Sequence, residues 1–134
     1  MSQPTADDLG QVPLLAALDA QNLERLASRL LVAEFAEGER IVIEGTPGLD
    51  LFIIHSGRAI ADQRERGLVR LLGPGDFFGE IALMGKGQRT ATVTSSSPMV
   101  VWVLPSDAIR VLQTEYPDVT TALRTAMDDR LTGD

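Results

Sequence analysis

From residue 31 to residue 72 the chain reads LVAEFAEGERIVIEGTPGLDLFIIHSGRAIADQRERGLVRLL, and this stretch decides the fold class. Its apolar residues come in short runs, Leu31–Ala36, Arg40–Glu44, Leu51–His55, Arg58–Asp62 and Leu68–Leu72. Turn formers separate them at Glu37-Gly38, Gly45-Thr46-Pro47-Gly48 and Ser56-Gly57. Two further runs follow, Arg89–Thr94 and Met99–Leu104, after Gly73-Pro74-Gly75-Asp76 and Ser95 to Pro98 respectively. Many short strands at this spacing predict a sandwich or barrel. All but two of the twelve glycines lie between Gly38 and Gly87, where tight corners call for positive φ or close backbone approach.

Helical signals flank this β-rich middle. Asp19 can N-cap a helix whose Leu23, Leu26, Ala27 and Leu30 make one apolar stripe, with Asn22 where a full capping box would place Glu or Gln. Downstream, Ser106 can cap a short helix carrying Ile109 and Leu112. A second helix is predicted from Pro117, with Asp118 in its first turn. Along it Val119, Leu123, Ala126, Met127 and Leu131 recur at helical spacing up to Gly133. The expected architecture is mainly β with flanking helices (α+β), one helix before the β-region and two after it. Residues 1–13 read as a flexible tail or linker, 14–131 as one domain and 132–134 as a C-terminal tail.

The 134 residues suit a single core. With 44% hydrophobic and 23% charged residues the composition is that of a globular protein. A net charge of −7 disfavours nonspecific binding to nucleic acid or anionic membrane, so an anionic ligand needs a local site. The absence of cysteine excludes disulfides, Cys–zinc sites and thiol nucleophiles. No apolar run is long enough to span a bilayer, and MSQPTADDLG has no secretory character, so a cytoplasmic location without direct membrane contact is expected. The lone His55 reads as a partly exposed strand residue, and a metal enzyme of the cupin type would need about three histidines. With no G-x-S-x-G elbow, P-loop or paired histidines, no metal and no catalytic function are expected. Asp7-Asp8 and Asp128-Asp129 read as solvated charge, and Trp102, between Val101 and Val103, as a core or outer-face strand residue.

The segment Gly73 to Val93, GPGDFFGEIALMGKGQRTATV, breaks the β-texture. Gly75-Asp76 makes a turn, Phe77 and Phe78 anchor it in the core, and Gly79 allows close backbone approach. Glu80 to Met84 are helix formers with room for little more than a turn before Gly85. Such a turn leaves free amides and a positive dipole end, an anion site that Arg89 can complete as a planar fork. Glu80 would repel a bare phosphate but suits a ligand that also offers hydroxyl donors, such as a sugar phosphate.

These residues resemble the cyclic nucleotide-binding domain family of cAMP-dependent kinase regulatory subunits, gated channels and the catabolite activator. The family's F-G-E-[IL]-A-L and R-x-A-x-V stand here as Phe78-Gly79-Glu80-Ile81-Ala82-Leu83 and Arg89-Thr90-Ala91-Thr92-Val93. Gly38, Gly45 and Gly57 fall where its β-roll glycines are expected, and the resemblance runs from about Val12 to Leu131. It implies a jelly-roll-like β-roll (a double-stranded β-helix) that binds cAMP or cGMP, cAMP favoured, and signals through its C-terminal helix. By resemblance, Glu80 takes the ribose 2′-hydroxyl and Arg89 the cyclic phosphate. Gly79 and the amides of Ile81, Ala82 and Leu83 line the ribose-phosphate, and Thr90 lies near the purine or phosphate. Leu123, Arg124 and Met127 form a lid over the base or pack on the roll. Gln88 stands where many members have proline. The catabolite-activator branch continues into a helix-turn-helix and this chain stops at Asp134, so the expected partner is an effector domain or protein elsewhere. The alternative reading is a nucleotide-free domain of the same fold acting in protein interaction or assembly.

Overall fold

Among the described residues the glycine-punctuated runs become eight antiparallel strands in two four-stranded sheets. The computed structural model describes residues 4–12, 15–16, 18–46, 50–64, 67–79, 91–118, 120–122 and 124–125. The strands are β1 (Leu31–Phe35), β2 (Arg40–Val42), β3 (Leu51–Ser56), β4 (Ala59–Gln63), β5 (Leu68–Leu72), β6 (Phe77–Phe78), β7 (Thr92–Ser95) and β8 (Met99–Leu104). One sheet has the order β1-β8-β3-β6 and the other β2-β7-β4-β5. The mainly β architecture with flanking helices is therefore as expected, and among the described strands the one not foreseen is β6.

The first sheet is covered on both faces, which explains why β3 and β8 read as continuous apolar runs rather than as alternating ones. Leu51, Ile53, Phe77, Trp102 and Leu104 face the helices, among Leu9, Leu23, Leu26, Ile109 and Leu112. Their neighbours Phe52, Ile54, Phe78, Met99 and Val101 face the second sheet, against Val42, Ala59, Leu72 and Val93. Successive side chains of one strand thus supply two different cores.

The helix capped by Asp19 forms as predicted: α2 spans Ala20–Ala27, and the Asp19 carboxylate accepts the Asn22 N–H at 2.8 Å. Asn22 does not complete a capping box; its side-chain oxygen accepts from the Arg25 guanidinium at 3.0 Å. The tail expected at the N-terminus needs correction. Residues 6–10 form a helix, α1 (Ala6–Gly10), closed by a Thr5/Asp8 capping box. Leu9 and Val12 are buried in the helix-side core, so residues 4–12 belong to the packed unit. Asp8 is accordingly a capping group rather than idle surface charge. The polar composition of the segment hid a single decisive leucine.

The first C-terminal helix, α3 (Ser106–Glu115), begins one residue earlier than predicted, with Pro105 at the N-cap. Ser106 does not cap it. Its N–H is instead taken by the Asp50 carboxylate at 2.9 Å, across 56 residues of sequence. Residues 117, 118, 120–122 and 124–125 are helical, and the buried Thr120 hydroxyl donates to the Pro117 carbonyl at 2.9 Å. Among the described residues no helix is long and apolar enough to cross a membrane.

Candidate functional site

The segment singled out in the sequence bridges the two sheets. It leaves from β6, at the edge of the first sheet, and rejoins the fold at β7, which lies between β2 and β4 in the second. On the entry side Phe52 pairs with Phe78 and Ile53 with Phe77. The Ile54 N–H donates to Asp76 O at 2.9 Å and the Gly75 N–H to Ile54 O at 2.8 Å, which extends the pairing back through the turn. That turn is set by Gly75 at φ 89° and by Asp76, whose carboxylate accepts the Gly73 N–H at 2.8 Å. Immediately past β6, Gly79 sits at φ 80°, in the left-handed region where a side chain is costly. The glycine is thus required by the direction in which the chain leaves the sheet.

On the exit side β7 pairs with β4 from Ala59↔Ser95 to Asp62↔Thr92, and with β2 by Arg40↔Thr94 and Val42↔Val93. The Thr92 hydroxyl accepts the Glu44 N–H at 2.9 Å, and the Glu44 carboxylate accepts the Arg64 N–H at 2.8 Å. The end of β2, the start of β7 and the end of β4 are thereby tied at one point. Phe78 and Val93 lie in the same inter-sheet core, so both ends of the segment are fixed to one packed layer.

Of the residues that the sequence reading assigns to the ligand, Gly79 lies directly after β6, at the entry to the segment. Glu80, Ile81, Ala82, Leu83, Arg89 and Thr90 lie outside the described residues. Of the residues expected to form a lid or to pack on the roll, Arg124 is helical and exposed, whereas Leu123 and Met127 lie outside the described residues. His55 and Trp102 stack at 4.6 Å with 19° between rings, the indole buried on the helix side and the imidazole exposed, in keeping with the plain reading of both. No cluster of His, Cys, Asp and Glu fit for a metal ion occurs among the described residues. Sequence reasoning missed two supports of the segment, Phe52 and Thr92. Each acts through a partner remote in sequence, and a single sequence carries no trace of such a pairing.

The family model described as the cyclic nucleotide-binding domain matches residues 32–116, more than half of the chain. The chain belongs to this family. It is 35% identical over 98 residues to a cAMP-dependent protein kinase regulatory subunit of Eremothecium gossypii, an alignment covering 73% of this chain and 21% of that protein. The chain therefore spans about a fifth of the length of that relative. Its fold resembles that of the regulatory domain of Toxoplasma gondii protein kinase A, solved with cAMP, at a TM-score of 0.77 and 26% identity, over 92% of this chain and 48% of that one. The regulatory subunit of a cAMP-independent protein kinase A from Trypanosoma brucei is similar at a TM-score of 0.77 and 25% identity, over 91% of this chain and 44% of that one.

Proposed function

We propose that this cyclic nucleotide-binding domain is a regulatory sensor module that takes up cAMP in preference to cGMP. No bond is made or broken. Glu80 accepts from the ribose 2′-hydroxyl, Arg89 meets the cyclic phosphate, and Gly79 with the amides of Ile81, Ala82 and Leu83 lines the ribose-phosphate. The observation that carries this reading is Gly79 in the left-handed conformation, directly after a core-anchored Phe78 and directly before the Glu80-Ile81-Ala82-Leu83 run. The chain turns out of its sheet at the point where a close approach to ligand is needed. Occupancy passes to the helical residues after Pro117, with Leu123, Arg124 and Met127 closing over the base. A ligand that binds the helix-closed state better shifts the population toward it. The effector is a protein or domain outside these 134 residues, and a kinase catalytic subunit is the partner that the curated relative's name points to.

A calorimetric titration with cAMP and cGMP side by side tests the reading. The expected affinity is micromolar or tighter, about −8 kcal/mol. Arg89→Ala is expected to weaken binding by roughly 2–5 kcal/mol, because it strands a desolvated phosphate charge. Glu80→Ala weakens binding of cAMP but has far less effect on its 2′-deoxy analogue. Equal losses for both sugars remove the role given to Glu80. No binding of either nucleotide by the unaltered protein leaves the interaction-domain reading in its place.

A further inference from the structure

The cassette that begins at Gly79 enters from the shortest of the described strands. β6 is two residues long and lies at a sheet edge, so backbone pairing alone gives it little rigidity. What it has in addition is a ring pair. Phe52 and Phe78 face each other in register, with centroids 4.8 Å apart and 6° between planes. Both are buried in the inter-sheet core, while Phe77 points to the helices. Near-parallel stacking restricts the Phe78 ring to one plane, and through its Cα it restricts the direction in which the backbone reaches Gly79.

We propose that Phe52 is a positioning residue for the ligand cassette. Through Phe78 it holds the Gly79 backbone in its binding-competent conformation before any ligand arrives. The inference rests on the nucleotide-binding reading above for its effect on affinity, but not for its effect on Gly79. If the competent fraction of the free protein falls when the ring is removed, the apparent affinity falls by the same factor.

The experiment compares Phe52→Leu and Phe52→Tyr with Leu26→Ala, which damages the helix-side core far from β6. Two quantities are read at a temperature where each variant is folded: cAMP affinity, and amide exchange at Gly79 in the free protein. Phe52→Leu is expected to weaken cAMP binding about tenfold and to speed exchange at Gly79. Phe52→Tyr keeps the ring and restores both. Leu26→Ala lowers the melting temperature without changing either. If Phe52→Leu does not fold, Phe52→Met, of similar volume and without a planar face, makes the same comparison. Unaltered Gly79 exchange in the ring-less variant overturns the proposal. So does an affinity loss equal to that of Leu26→Ala. Should the unaltered protein bind no nucleotide, the function falls, and Gly79 exchange alone decides the role of Phe52.

Discussion

At the residue scale the most constrained position described is Gly57, in the turn between β3 and β4. It sits at φ 90°, and a Cβ there would run into the Pro98 carbonyl and come within 2.8 Å of the Met99 Cα. Backbone atoms cannot swing aside as a long side chain can. Gly57→Ala is therefore expected to cost about 3 kcal/mol or more, read as a fall in the denaturation midpoint with an unchanged slope. Thr92 offers a milder test. Thr92→Val keeps the β-branched shape but leaves the Glu44 N–H without its acceptor, at a cost of about 1 kcal/mol. The glycines and the Phe78-Gly79 junction were legible from sequence because a conformation or a motif singled them out. Phe52 was not, because any large apolar residue satisfies a strand pattern and only the three-dimensional register reveals that its ring lies on Phe78.

Among the elements, the helix ends show how far local sequence can be trusted. The cap of α2 was readable since Asp19 and the amide it serves are three residues apart. The cap of α3 was not, since Asp50 reaches Ser106 from the start of β3. Asp50→Ala should destabilise the fold by about 1 kcal/mol, and hydrogen exchange in the first turn of α3 should rise more than elsewhere. For α1 the controlling group is Asp8, whose carboxyl is held below the usual aspartate value by the Thr5 N–H first and the Thr5 side chain next. A carboxyl lowered on folding stabilises the folded form fully above its unfolded value, and that contribution is lost as the pH falls through its lower folded value. Docking of α1 is therefore expected to loosen below about pH 4, seen as faster exchange at Leu9, and Asp8→Ala should abolish that pH dependence. In the same way β6 escaped the sequence reading, because two residues are too few to show a period.

For the whole molecule the main consequence is that two cores share one sheet. Damage to either should lower a single transition rather than split it in two. Leu26→Ala on the helix side and Ile54→Ala between the sheets are each expected to cost about 2–5 kcal/mol. Trp102 fluorescence and far-ultraviolet circular dichroism should report the same midpoint for both variants. Two separate transitions would mean that the helical layer and the roll unfold independently. The sharing also bears on how the chain threads itself. In most sheets a slide by one residue exposes grease to water and is rejected at once. Here β8 is greasy on both sides, so a misthreaded β8 would hide as much oil as the correct one. Selection must come from bulk, with the indole of Trp102 matched to the helical layer and the crowded corner at Gly57 admitting only one alignment. Mistakes in assembling this molecule should therefore be mistakes of size, not of polarity.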